Sequence, residues 1–196
     1  MDKEVAKNFP WLILVTGAPG SGKTVLAKKL VEKIQFLFID ADTVLQNFYM
    51  SNPGNKDYDR EKVGIPKLYD LIEHMLVDFG VSIVSDAAPS QGDGERYIRK
   101  LDKVSRLVNI HCRANNVNER FYKREVGPKG EEPDWLGPHM KELEENLPKA
   151  TEPLDLGCPI IEVDTNDGYK PDLNEVIVKM GIPDGYKLWS EFGPKS

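Results

Sequence analysis

Cysteine is scarce in this chain of 196 residues: Cys112 and Cys158 are the two, and they lack CxxC spacing. Two thiols in a chain this size build neither a disulfide framework nor a thiolate metal site, so both are expected as reduced core residues. The three histidines, His74, His111 and His139, form no cluster with them, and no metal-ligand spacing results. Long apolar runs are missing as well. The longest, Trp11 to Val15, falls far short of the roughly 20 residues a membrane span needs. Met1-Asp2-Lys3-Glu4 mixes acid with base and no h-region follows, so a cytoplasmic protein without a secretory signal is expected. Positive charge is not in excess. Twenty-six Lys and Arg face 32 Asp and Glu, for a net charge of −6, which makes nucleic acid an unlikely main partner. Repeats and low-complexity tracts are absent. With 40% hydrophobic and 30% charged residues, what remains is a globular chain able to bury one full core.

Within that chain, short apolar runs alternate with segments of helical period: 11–16, 23–34, 36–39, 66–79, 81–85, 95–104, 107–112, 115–124, 160–163 and 172–180. Ala27, Leu30, Val31 and Ile34 recur at helical spacing while Lys28, Lys29 and Lys33 face water. Strands alternating with helices predict a parallel sheet covered on both faces, an α/β three-layer fold with five strands. Residues 1–196 read as a single domain. Two segments break the alternation: the polar, turn-rich 50–60, and 126–151, dense in Pro, Gly and charge, with a short helix expected over 138–147. The length of the second predicts a functional lid at about 125–151. A tail over 181–196 carries Tyr186, Leu188, Trp189 and Phe192, which are expected to pack on the body or on a neighbouring subunit.

Gly17-Ala18-Pro19-Gly20-Ser21-Gly22-Lys23-Thr24 fits G-x-x-x-x-G-K-[ST], and it follows an apolar strand and opens an amphipathic helix, the context that gives the motif meaning. Glycines let the backbone curl round an anion so that successive N–H groups and the helix N-terminus, from Gly17 to Val25, point at phosphates. Lys23 supplies a point charge for the β- and γ-phosphates and Thr24 a hydroxyl for Mg²⁺. ATP and Mg²⁺ are the expected cofactors. An Asn-Lys-x-Asp guanine reader is absent from the later strands, which excludes a switch GTPase. A small domain with a late insertion suits phosphoryl transfer, where a lid keeps water from the donor.

Together with this loop, Ile39-Asp40-Ala41-Asp42, Ser85-Asp86, Asn118-Glu119-Arg120 with Arg124, and Val163-Asp164-Thr165 resemble the small, AAA-like P-loop kinases of the polynucleotide 5′-kinase, chloramphenicol phosphotransferase and zeta-toxin group. The resemblance runs from about Leu12 to Thr165. It implies strand order 2-3-1-4-5 and transfer of the ATP γ-phosphoryl group to a hydroxyl. By spacing, Asp42 matches the family's general base, a carboxylate that orients or deprotonates the attacking hydroxyl; it could equally cap a helix over 43–49. Asp40, two residues earlier, reads as a ligand to Mg²⁺-bound water. Asp86 resembles a Walker B acid, or else initiates a turn before Ala87-Ala88-Pro89. Arg124 matches the lid arginine that would stabilise the transferring phosphoryl group, with Arg120 its adenine-side neighbour; an exposed helix stripe is the alternative. Asp164 and Thr165 fall where the family's loop borders the adenine ring. The family often places acceptor-binding arginines where Arg96 and Arg99 stand, and solvated charge explains those as well. His139, in the lid, is the one histidine placed to reach a substrate.

Polynucleotide kinases carry an arginine three residues after the base, and here that position is Leu45. With the acidic balance, this turns the expectation towards a small-molecule hydroxyl acceptor of sugar, nucleoside or antibiotic type. Gln46, Phe48, Tyr49, Tyr58 and Tyr69 would then wall an acceptor pocket, unless they face the core. A polynucleotide or nucleotide kinase, and a nucleotide-dependent binding module without an acceptor, are the alternatives. A monomer or weak homodimer is expected.

Overall fold

A computed structural model describes residues 9–51, 59–86, 93–128, 130–134 and 136–183. The aromatic tail residues, Tyr58 and the turn Ala87-Ala88-Pro89 lie outside them, as does the side chain of His139. Five parallel strands, β1 (Trp11–Thr16), β2 (Leu37–Ile39), β3 (Ile83–Ser85), β4 (Arg106–Arg113) and β5 (Ile160–Asp164), form one sheet in the order β2-β3-β1-β4-β5. This is the expected fold and order. The helices are α1 (Lys23–Ile34), α2 (Ala41–Met50), α3 (Ile65–Val77), α4 (Asp93–Leu101), α5 (Val117–Val126), α6 (Leu136–Ala150) and α7 (Leu173–Met180). A π-helical turn over Arg60–Gly64 leads into α3.

The central strand shows why the sheet needs two covers. All six residues of β1 are buried. Trp11, Ile13 and Val15 pack with Leu26, Ala27 and Leu30 of α1 and Val176 of α7. Leu12 and Leu14 point the other way, against Leu45, Leu68, Ile72 and Ile98 of α2, α3 and α4. Alternate residues of a strand face opposite sides, so a strand apolar at every position is stable only between two helical layers. Each large side chain so buried contributes roughly 1.5–3 kcal/mol.

Parallel ladders align all five strand C-termini on one edge. Thr16 pairs with His111, Ile39 with Ser85, and Arg113 with Asp164. The residues immediately after these positions are Gly17, Asp40, Asp86 and Thr165, which brings the motifs of four distant segments to one rim, where open α/β sheets bind ligands. The segment expected to hold a helix over 138–147 holds the longer α6, which packs against α5. No helix among the described residues is long and apolar enough to cross a membrane.

Candidate active site

The glycine-rich loop has the backbone its glycines permit. Gly17, Gly20 and Gly22 have φ of 130°, 82° and 87°, a region in which an L side chain is strained. Space forbids a side chain too: a Cβ on Gly20 would lie 2.2 Å from the Val117 carbonyl oxygen, and one on Gly17 would lie 2.4 Å from that of Cys112. The loop is thus seated directly on β4 and α5. Gly22 caps α1 without a side-chain partner, leaving the first N–H groups of that helix directed into the loop. Val25, in the first turn, is exposed.

Lys23 folds back over the loop and donates to the Ala18 carbonyl at 3.1 Å. Burial pulls its ammonium below the usual lysine range, while Cys112, Asp86 and Asp42 pull upward and Arg124 adds to the lowering. Thr24 Oγ1 donates to Asp86 Oδ2 at 2.6 Å, and Asp86 Oδ1 accepts from the Ala41 N–H at 3.2 Å. Burial raises the Asp86 carboxyl above its ordinary value against both hydrogen bonds, with Asp40 and Asp42 adding to the rise. A hydroxyl and a buried carboxylate side by side form a donor set that fits Mg²⁺, and the cradle kept free of Cβ atoms fits a phosphate chain.

Of the two aspartates after β2, Asp40 rather than Asp42 takes the capping role. Strand geometry would have pointed Asp40 and Asp42 the same way, but β2 stops at Ile39 and α2 begins at Ala41. Asp40 is therefore the N-cap, its Oδ1 accepting from the Thr43 N–H at 3.0 Å. That commits Asp40 Oδ1 to the helix end, while its carboxylate still lies close enough to Asp86 to raise that carboxyl. Asp42, released from capping, stands in the first turn and faces a cleft of about 260 Å³ whose walls include Lys23, Thr24, Asp86 and Arg124. Its Oδ1 accepts from Arg60 at 2.8 Å. Arg60 belongs to the segment that the sequence marks only as a polar, turn-rich break in the alternation. A π-helical turn, a frequent companion of functional sites, is what carries its guanidinium into the cleft.

Leu45, Ile65, Leu68, Tyr69, Phe121 and Leu143 supply the apolar walls. Of the expected aromatic wall, Tyr69 is in place and Phe48 packs on the core. Tyr49, expected to touch substrate, stands 59% exposed in the last turn of α2 and is not among the residues lining the cleft. Arg96 is also displaced from its expected role. Its guanidinium lies over the Tyr97 ring, which stacks on Tyr69 at 5.3 Å between centroids, so Arg96 belongs to the layer behind the wall. Arg99 reaches the Asp155 carbonyl at 2.9 Å.

On the opposite side, α5 presents both arginines of its i, i+4 pair to the loop. Arg124 lines the cleft, its Nε donating to Glu125 at 2.7 Å and its guanidinium over Phe121. Arg120 lies over Gly22 and donates to Thr165 Oγ1 at 3.4 Å. Thr165 is buried with its hydroxyl 2.7 Å from the Ser21 carbonyl, and Asp164 fixes the turn behind it by accepting from the Asn166 N–H at 2.8 Å. Arg120 and the loop after β5 therefore flank Gly22.

The AAA domain family matches residues 12–125, more than half of the chain and all of the glycine-rich loop, Asp42, Asp86 and both α5 arginines. The chain belongs to the AAA domain family. This AAA domain is 26% identical over 194 residues to a protein of Pyrococcus abyssi described as "Putative adenylate kinase", covering 93% of this chain and 96% of that protein. Its fold is shared with a "putative kinase" of Chloroflexus aurantiacus (TM-score 0.66, 22% identity, 87% of this chain and 93% of that one). It is shared also with a sugar kinase of Janibacter (TM-score 0.62, 17% identity, 91% and 98%). At such identities the two structures establish the P-loop fold. Among the described residues both cysteines are free thiols, and no group of three or more His, Cys, Asp and Glu side chains is placed to hold a metal ion.

Proposed function

We propose that this chain is a kinase that transfers the γ-phosphoryl group of ATP to the hydroxyl of a small molecule. One observation carries the reading: the Asp42 carboxylate, freed from capping by Asp40, opens into the same cleft as Lys23, Thr24, Asp86 and Arg124. The kinase names of the relatives that match most of its length support a phosphotransferase and leave the acceptor open. Gly17 to Thr24 would hold the phosphates, with Pro19 and Ser21 as backbone of the loop. Arg120, Thr165 and Asp164 would border the base. Thr24 and Asp86 would hold Mg²⁺, which would neutralise phosphate charge. Lys23 and Arg124 stabilise the charge on the moving group. Asp42 takes the acceptor's proton as the acceptor oxygen bonds to the γ-phosphorus and the bond to the ADP oxygen breaks. The segment 126–151, which sends Leu143 into the cleft, acts as a lid against water.

A nucleotide-kinase reading draws on the Pyrococcus abyssi relative. The two make opposite demands on Asp42, because a phosphate acceptor is already anionic and needs no base. Asp42→Asn tests this with a panel of sugars, nucleosides, AMP and antibiotics. Hydroxyl transfer predicts unchanged ATP affinity with turnover lowered about 10²–10⁴-fold. Transfer to AMP that survives the substitution would establish nucleotide kinase activity instead.

A further inference from the structure

The ion pair with Asp42 holds Arg60 in the cleft, and the phosphoryl transfer described above gives Arg60 no role. The loop, Lys23 and Arg124 suffice for the phosphates, and Thr24 with Asp86 for the metal. Arg60 faces the acceptor end, its terminal nitrogen 2.8 Å from Asp42 Oδ1, with the two side chains 59% and 88% exposed. A pair so exposed is worth roughly 0–1 kcal/mol and is easily exchanged. A planar guanidinium gains more from a second anion that it can grip with two parallel N–H bonds. Among the described residues, the remaining walls are Leu45, Ile65, Leu68, Phe121 and Leu143, whose side chains offer no hydrogen bonds, and Tyr69, whose single hydroxyl offers one. A neutral polyol buried among them would leave several hydroxyls unpaired, at roughly 1–3 kcal/mol each. The cleft of about 260 Å³ also spans Lys23, Thr24 and Asp86, so the acceptor shares it with the phosphate end and must be small.

Resting on the hydroxyl-transfer reading, we infer that the acceptor is a small anionic alcohol with an apolar body, and that its carboxylate or phosphate group draws Arg60 away from Asp42 and so releases the base. The pairing then serves as a guard. Before the acceptor arrives, Asp42 is held by Arg60 and is less available to activate water against ATP. When the anion docks, the same guanidinium anchors the acceptor and the freed carboxylate meets its hydroxyl. The proton passes from the hydroxyl to Asp42 as the new oxygen–phosphorus bond forms and ADP departs.

The test uses the full chain in two measurements. In the first, ATP hydrolysis by water is followed without acceptor. Arg60→Gln is expected to raise it about fivefold, the scale of one exposed ion pair released, and Asp42→Asn in the same chain is expected to cancel the rise. Acetate or methylphosphonate, against chloride at equal ionic strength, is expected to stimulate the wild type and not Arg60→Gln. In the second, benzyl alcohol, hydroxymethyl-benzoate and hydroxymethyl-phenyl phosphate are compared as acceptors, with the product's new phosphoester located by ³¹P NMR. Preference for either anionic member in the wild type, lost in Arg60→Gln and partly kept in Arg60→Lys, supports the inference and tells carboxylate from phosphate. Hydrolysis unaltered by Arg60→Gln and by both anions overturns it, as does Asp42-dependent transfer that favours the neutral alcohol. In that last case the kinase reading stands. If Asp42→Asn matches the wild type throughout the acceptor panel, the kinase reading itself falls.

Discussion

Lys23 and Asp86 are each held in a form that costs the folded chain something. Burial depresses the Lys23 ammonium, against the pull of Asp86 and Asp42, and raises the Asp86 carboxyl. For Asp86 the sign follows from linkage. A carboxyl whose folded value lies above its unfolded value favours the folded state below the unfolded value and loses that contribution as pH rises through the folded one. At neutral pH the ionised Asp86 is therefore a net burden on the ligand-free protein, set against the hydrogen bonds from Thr24 and Ala41. Asp86→Asn removes the charge while keeping a polar group between those two donors. Thermal unfolding of the ligand-free variant is expected at or above the wild-type midpoint. Stabilisation by Mg·ATP and phosphoryl transfer should both be lost, the exchange of stability against function typical of strained sites. A clear fall in the ligand-free midpoint would show that the hydrogen bonds outweigh the buried charge.

At the scale of the elements, the glycine-rich loop is a joint between β1, β4 and α5 as much as a phosphate cradle. Gly20→Ala would drive a methyl group into the Val117 carbonyl, a backbone atom that cannot swing aside. Gly80, at φ 62° with nothing within 4 Å of its added Cβ, isolates the backbone strain alone, about 1–2 kcal/mol for an alanine held in this region. Gly20→Ala should thus lower the urea midpoint well beyond Gly80→Ala and abolish ATP binding by calorimetry, whereas Gly80→Ala keeps it. Much of this joint was legible in the sequence, since the loop motif, the alternation and the strand ends fix a parallel sheet and what stands on its rim. The choice between Asp40 and Asp42 was not legible, because it depends on whether β2 runs one residue further or stops at Ile39. Arg60 was hidden for a related reason. Nothing in the composition of a polar insertion reveals that a π-helical turn will deliver one of its side chains to a cleft built by α2, α3 and α5. Arg96 misled because helical spacing places it on a face without saying that Tyr97 and Tyr69 lie between that face and the site.

Across the whole molecule, a buried polar strand of contacts links the sheet's centre to the segment that returns from α6. The Thr16 hydroxyl, one residue before the loop, donates to Asn109 Oδ1 at 2.8 Å and lies 3.1 Å from His111 Nδ1. The other ring nitrogen of His111 meets the Thr151 carbonyl at 3.0 Å. Burial lowers the His111 value below the usual histidine range and Arg113 adds to this, while the hydrogen bond to Thr151 and the carboxylates of Glu162 and Glu152 oppose it. The folded chain thus keeps this ring neutral at a pH where the unfolded chain, with a value near 6.5, has bound a proton. Stability is whole above that pH and is lost as pH falls below it, at a slope of at most about 1.4 kcal/mol per pH unit for one proton. Urea unfolding between pH 7 and 5, above the range where most carboxylates titrate, is expected to show this decline. His111→Gln, which cannot take the proton, should be less stable at pH 7 through its poorer fit between Thr16 and Thr151, yet its stability should change less over the interval. Parallel curves for the two proteins would mean that the ring's protonation is not what the fold resists. Convergence towards pH 5 would tie acid sensitivity to the contact that joins the strand entering the phosphate loop to the root of the proposed lid.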